Sequence, residues 1–273
     1  MIIGHKNQLS LLLKAKDNLS HALIFSGESA LGKKQVALKL IKEMAQKDLS
    51  YPDLISIEPE KGVIPIERIR EIQKGLSFKA PFQAVLVDDA EKMNSFSQNC
   101  FLKTLEEPKG NVFFFLITSF PEMLLPTVKS RCHQVKFYPL SALEMEKGFE
   151  KEKSNPHFKE IIALSEGRPG IAFQFFQDNN LFLEKQKAKK RAEELFKKDL
   201  PERFGFAKRF FEEEEKLFPF LEEMSSFLRQ ELLGNLNDLS LIKKIKEVED
   251  LKIMLRLFNI NQRLAFENLL LKI

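Results

Sequence analysis

Apolar residues in the first half of the chain fall into short runs separated by amphipathic stretches. Residues 23–26, 54–57, 84–87, 113–118 and 134–137 read as strands. Most of these runs are unbroken, as expected of strands covered on both faces. Between them the apolar period changes to three and four residues. Val36, Ala37, Leu40, Ile41, Met44 and Ala45 mark one helix, Ile66, Ile69, Ile72 and Leu76 a second over 65–76, and 95–107 a third. Such alternation predicts an α/β domain with a parallel sheet and right-handed crossovers.

After Tyr138-Pro139 the strand signal ends. Residues 141–177 read as short helices broken at Gly148, Asn155-Pro156 and Gly167-Arg168-Pro169-Gly170, and from Asn179 onward the pattern is helical throughout. Leu217, Phe220, Leu221, Met224, Phe227, Leu228 and Leu232 form one apolar stripe, and Leu251, Met254, Leu255 and Phe258 begin another. Stripes of this kind bury against each other in a bundle. The charge runs 185–191 and 212–216 read as solvated helix faces. The expected domains are an α/β domain over 1–140, a small helical domain over 141–178 and an all-helical domain over 179–273.

Composition refines this picture only slightly. With 273 residues, 44% hydrophobic and 30% charged, the chain has the balance of a globular protein. It contains no apolar run of the roughly 18 residues that a membrane span needs. Its start, Met-Ile-Ile-Gly-His-Lys, lacks the basic-then-apolar order of a signal peptide, so the expected location is cytoplasmic. The two cysteines, Cys100 and Cys132, cannot build a disulfide framework or a four-cysteine zinc site, and read as buried thiols. A net charge of +4, from 43 basic and 39 acidic residues, neither demands nor excludes nucleic acid. The 26 phenylalanines, against two tyrosines and no tryptophan, point to core packing and not to a base-stacking surface.

The chemistry concentrates where the first strand feeds the first long helix. Gly27-Glu28-Ser29-Ala30-Leu31-Gly32-Lys33-Lys34 is a phosphate-binding loop complete except at its last position. The glycines let backbone N–H groups curl around phosphate oxygens, and Lys33 adds positive charge. The hydroxyl that ordinarily ligates Mg²⁺ is replaced by Lys34. Two like unit charges at about 4 Å repel by roughly 1 kcal/mol in water and about 4 at an effective dielectric of 20, and more when one is divalent. A second acidic element follows the strand at 84–87, in Asp88-Asp89-Ala90-Glu91. Asp88 stands where a working ATPase orients Mg²⁺. Asp89 stands where a glutamate positions the attacking water, with one methylene fewer and about 1.5 Å less reach. A misplacement of about 1 Å can cost about a hundredfold in rate. Helix capping after the strand is the alternative reading of both acids.

Three further segments carry a family resemblance. Ile3-Gly4-His5, an amphipathic run to Ala15 and then His21 to Gly27 resemble the N-terminal segment of the clamp-loader ATPases of the AAA+ family. Phe101 to Glu106-Glu107-Pro108 is similar to their K-x-L-E-E-P stretch. Thr127-Val128-Lys129-Ser130-Arg131-Cys132 ends in their Ser-Arg-Cys motif. The motifs cover residue 3 to about 137, and the layout of α/β domain, helical lid and helical collar extends the resemblance over the whole chain. Within that family the departures resemble the delta-prime branch of the bacterial DNA polymerase III clamp loader, not the ATP-hydrolysing gamma/tau branch. They are Lys34, Asp89 and Gly170, which falls where the ATPases carry a sensor-2 arginine. Arg168 lies two residues too early for that role. Thr118 lies near the sensor-1 position, with strand-end packing as its alternative. The collar leaves no room for the extra domains of tau.

The resemblance implies a role for Arg131 as an arginine finger acting on the γ-phosphate bound by a neighbouring subunit, with Ser130 and Cys132 as motif context. A surface ion pair is the plainer reading of such an arginine. It further implies a ring with gamma/tau and delta subunits, a sliding clamp as partner, and primed DNA reached through the assembled complex, within a DNA-directed DNA polymerase holoenzyme. No intrinsic ATPase activity and no required cofactor are expected. Gly27, Gly32 and Lys33, with vestigial Asp88 and Thr118, leave room for weak nucleotide or anion binding. Relatives carry a four-cysteine zinc module after the P-loop helix. Here the chain runs from Gln46 through Asp48, Ser50 and Tyr51 to Pro52 without a cysteine, so no zinc is expected. The rival expectations are a gamma-like ATPase in which another group holds Mg²⁺, and a stand-alone AAA+ interaction module outside replication.

Overall fold

The five apolar runs become five parallel strands: β1 (Ala22–Ser26), β2 (Leu54–Ile57), β3 (Gln83–Val87), β4 (Val112–Thr118) and β5 (His133–Lys136). The computed structural model describes residues 2–46, 53–77, 80–108 and 110–273, the side chain of Asp17 excepted. The cysteine-free stretch 47–52 therefore lies outside the described residues. The strand order is β2-β3-β4-β1-β5. Ile24 stands beside Leu116, and Val85 beside Phe114. The order places β1 between β4 and β5, so the connection leaving β1 runs one way across the sheet and the connection leaving the adjacent β4 runs the other, a reversal between neighbouring strands. Ligand crevices of open α/β sheets lie at the carboxyl ends of the strands flanking such a reversal.

Helices cover both faces of the sheet. They are α1 (Lys6–Lys14), α2 (Lys33–Ala45), α3 (Ile66–Gly75), α4 (Ser95–Glu106) and the short α5 (Pro126–Lys129). Alternation along each strand sorts side chains into two cores. Ile24, Val85, Phe114 and Leu116 pack with Ile69, Ile72, Phe101 and Leu105 from α3 and α4. Leu23, Phe25, Leu86, Phe115 and Ile117 pack with Leu12, Val36, Leu40 and Ile41 from α1 and α2. The phenylalanines behave as core residues: Phe101 meets Phe114 edge-on at 5.6 Å. Strand β5 departs from the expected apolar run. It is polar and largely exposed because it is an edge strand, where polar residues discourage pairing with another chain.

Three short helices follow, α6 (Ala142–Gly148), α7 (Phe158–Leu164) and α8 (Pro169–Gln177). The first begins at a capping box in which Ser141 and Glu144 satisfy each other's backbone N–H. The remaining helices are α9 (Asn179–Lys197), α10 (Leu200–Glu212), α11 (Leu217–Gly234), α12 (Leu239–Leu257) and α13 (Gln262–Lys272). The described chain divides into two compact units, Met1–Gln174 and Phe175–Ile273. No described helix is long and apolar enough to cross a membrane.

In the second unit the α11 stripe is buried at Leu217, Phe220, Leu221, Met224 and Leu228, while Phe227 is half-buried and stacks on Phe196 at 5.3 Å. The expected α12 stripe is only partly realised. Val248 and Leu251 are buried and Leu255 packs against them, but Met254 and Phe258 are exposed. The buried line follows 248-251-255, Met254 falls off that line, and Phe258 lies beyond the last helical turn. The charge run 185–191 is also not simply solvated. Because α9 packs along α11, Lys185 pairs with the buried Glu223, and Arg191 joins Glu215 and lies over Phe206 at 5.5 Å.

Candidate functional site

The phosphate loop forms where β1 hands the chain to α2, and its backbone is shaped for a tight approach. At Gly27 a side chain would come within 2.3 Å of the Phe137 carbonyl. At Gly32, the N-cap of α2, φ is 87°, so glycine there meets a conformational demand and not a spatial one. Lys33 is 5% exposed and turns back onto the loop. Its ammonium donates to the carbonyls of Gly27 at 2.5 Å and Glu28 at 2.6 Å, and to the Ser119 hydroxyl at 3.2 Å. Burial pushes its pKa down to about 8, against the opposing pull of Glu91, Asp89, Asp88 and Glu28.

Lys34 takes the opposite side of the loop. Its ammonium pairs with Asp88 at the end of β3, at 3.0 Å, and with Glu58 just beyond β2. Burial works against its charge, but the hydrogen bonds to Glu58 and Asp88 outweigh it and raise the pKa. The cation thus sits between the loop's hydroxyl position and the acid that would hold Mg²⁺. These residues do not fit Mg²⁺: one ligand is replaced by an ammonium, and the other is already neutralised by it.

The second acidic element is arranged differently from its expected roles. Asp89 sits at φ 45° with no capping hydrogen bond from its side chain, and its pKa is raised by burial and then by the nearby carboxylates of Glu91 and Asp88. The Asp88 carboxylate accepts from the Asp89 N–H at 3.2 Å besides pairing with Lys34. Glu91, 5% exposed, accepts from the Ser119 N–H at 3.1 Å and faces Lys33 electrostatically. The Thr118 hydroxyl accepts from Phe120 N–H, so it is Ser119, one residue on, that meets the loop lysine. Glu91 and Ser119 were missed by sequence reasoning. The only signal was that Glu91 closes the Asp-Asp-Ala-Glu run.

The loop backbone is also engaged by α8. The Gly170 N–H at the start of α8 donates to the Ala30 carbonyl at 2.9 Å, and a side chain at Gly170 would press on Ala30 at 3.0 Å. At the position expected for sensor 2, α8 therefore lies directly against the loop. Arg168 is buried, pairs with Glu166 at 3.2 Å and approaches Glu28 at 4.0 Å. His5, 3% exposed, contacts the Leu31 carbonyl at 2.9 Å through Nε2. Burial, with the Leu31 hydrogen bond opposing, lowers its pKa. The carbonyls of residues 27, 28, 30 and 31 are thus held by Lys33, Gly170 and His5.

Arg131 stands apart from this cluster. It follows α5, and its guanidinium donates to the Thr127 carbonyl at 2.9 Å and the Ser130 hydroxyl at 3.4 Å while pairing with Glu106. Cys132 beside it is half-buried against the sheet core, and burial pushes its thiol up to about 12, which leaves it unreactive as a nucleophile. Cys132 anchors the motif inward and Arg131 projects outward. Among the described residues no group of three or more His, Cys, Asp or Glu is placed to hold a metal ion.

The depressed pKa of Lys33 carries a testable consequence. Between about pH 8 and 10.5 the unfolded chain retains a proton that folded Lys33 has released, so this residue's contribution to stability rises with pH in that window. An NMR titration of the Lys33 ammonium is expected to show a midpoint near pH 8, and Lys33→Met should abolish the corresponding stability slope. A midpoint above pH 10 would contradict the buried, loop-bound state.

The family model described as DNA polymerase III, delta subunit matches residues 5–141. The chain is similar to the DNA polymerase III subunit delta' of Bacillus subtilis, 27% identical over 228 residues that make up 76% of this chain and 67% of that protein. It is also similar to the subunit delta' of Escherichia coli, 34% identical over 138 residues, 48% of this chain and 41% of that protein. The chain thus spans only part of each relative. A solved structure of a DNA polymerase III, gamma subunit-related protein from Thermotoga maritima shares the fold, with a TM-score of 0.54, 24% identity and 97% of both chains covered.

Proposed function

This chain belongs to the DNA polymerase III delta-subunit family, and from that premise we propose that it is a non-hydrolysing, delta-prime-type subunit of a clamp loader. In this reading it holds a place in a ring beside ATP-binding gamma/tau and delta subunits. It presents Arg131 to the nucleotide of a neighbour and helps to place a sliding clamp on primed DNA. Its own P-loop serves as a brace between sheet and lid, without Mg²⁺-nucleotide.

One observation carries the reading: the Lys34 ammonium lies against Asp88. A divalent ion about 4 Å from that ammonium meets roughly 8 kcal/mol of repulsion at an effective dielectric of 20, twice the unit-charge value. The Lys33 ammonium, turned back onto the Gly27 and Glu28 carbonyls, supports the same conclusion, since the cation that would meet a phosphate is engaged by the loop itself.

The test uses the isolated chain. No ATPase above background and no Mn²⁺ binding in the presence of ADP are expected. The double variant Lys34→Thr, Asp89→Glu should gain Mn²⁺–ADP binding without reaching full activity, because Gly170 supplies no arginine. Turnover of about one per second or faster by the unaltered chain, within the ordinary enzyme range, would sink the reading. Failure to co-purify with other clamp-loader subunits from native cells would instead favour a stand-alone module.

A further inference from the structure

The Glu-Glu-Pro stretch that closes α4 has no part in the roles assigned so far, yet its first glutamate makes a specific contact. Glu106 is the last residue of α4, and its carboxylate pairs with Nη2 of Arg131. A carboxylate in the last turn of a helix opposes the helix dipole, so helix stability does not account for it. The guanidinium offsets that charge. Its Nη1 is meanwhile held by the Thr127 carbonyl and the Ser130 hydroxyl. Both nitrogens at the fork of the guanidinium are thus turned onto the chain's own atoms, at a site where the two side chains remain 36% and 45% exposed.

We propose that Glu106 is a latch that parks the Arg131 guanidinium on its own subunit until a neighbour's phosphate competes for it. Glu106 is a positioning residue and touches no reacting atom. The proposal rests on the reading of Arg131 as a finger. Its physical basis is a contrast in strength. A solvent-exposed carboxylate–arginine pair shifts an equilibrium by at most about fivefold. A phosphate group accepts the same planar fork bidentately and with greater charge. The pair is strong enough to bias an exposed side chain and weak enough to be exchanged. The exchange breaks no covalent bond and moves no proton.

Two measurements test the latch and separate its failure from that of the finger. In the isolated chain, the rate of phenylglyoxal modification at Arg131, followed by mass spectrometry with the other arginines as internal references, should rise about two- to fivefold in Glu106→Gln. In the reconstituted complex, Glu106→Gln should raise ATP turnover without DNA by a similar factor, and should have no effect when Arg131→Ala is also present. Glu106→Asp, which keeps the charge but shortens the reach, should fall between. An unchanged modification rate at Arg131 in folded Glu106→Gln would overturn the latch. So would a rise in turnover that persists in the Arg131→Ala background. If Arg131→Ala alone leaves an assembled complex at normal turnover, the finger reading falls, and the latch falls with it as a control on turnover.

Discussion

Arg131→Ala is expected to leave the chain folded and assembled while removing most ATP turnover at one site of the complex, a site belonging to another subunit. The side chain lies at the surface, 36% exposed, and its partners Thr127, Ser130 and Glu106 are exposed, so folding loses little. The loss in chemistry is far larger. An arginine that meets a transferring phosphoryl group in trans contributes roughly 10³–10⁵ in rate, so the served site should fall nearly silent and total turnover should drop by that site's share. Arg131→Lys should rescue little, because an ammonium lacks the planar fork. The measurement is DNA-stimulated ATP turnover of the reconstituted complex beside subunit stoichiometry. Normal turnover in a complete complex would refute the assignment, and a loss that merely tracks loss of assembly would reduce Arg131 to an interface residue.

Phe210→Ala should have the largest effect on stability, about 3–5 kcal/mol for a fully buried phenylalanine. The residue is 1% exposed, and its ring lies 5.1 Å from Phe220, 5.5 Å from Phe211, and 5.9 Å from both Phe206 and Phe266. Four rings would line the cavity, and none can collapse into it without leaving its own packing. Phe227, which the stripe on α11 suggested as an equal core position, is only half-buried against Phe196, and Phe227→Ala should cost less because part of that ring already meets water. Urea midpoints followed by circular dichroism rank the two variants, and size-exclusion of the reconstituted complex reads assembly. Equal midpoints for Phe210→Ala and the unaltered chain would show that this cluster does not hold the second unit together.

The elements themselves were readable from the chain. The strands begin or end within about a residue of their apolar runs, because side-chain alternation and the switch to a helical period are local properties of ten or so consecutive residues. The broken pattern over 141–177 likewise resolves into α6, α7 and α8, since Gly148, Asn155-Pro156 and Gly167 to Gly170 interrupt helices for backbone reasons. The phosphate loop and its defect at Lys34 were also visible, because eight contiguous residues define them. Burial was less readable where it depends on phase or on the sheet edge. Met254 and Phe258 look apolar enough for a core but lie off the buried line of α12, and β5 lies at an edge that no periodicity announces.

Partners were decided by the tertiary structure alone. Lys34 could be seen to replace a hydroxyl, but not to find Asp88 and Glu58, which reach it only because β2 and β3 end beside each other in the sheet. The same holds for Ser119 and Glu91 at Lys33, for Gly170 on Ala30, and for Glu106 on Arg131. Secondary structure follows from the neighbours a residue has along the chain. The charge balance of the site follows from the neighbours that crossovers bring to it from elsewhere, and these have no period to read.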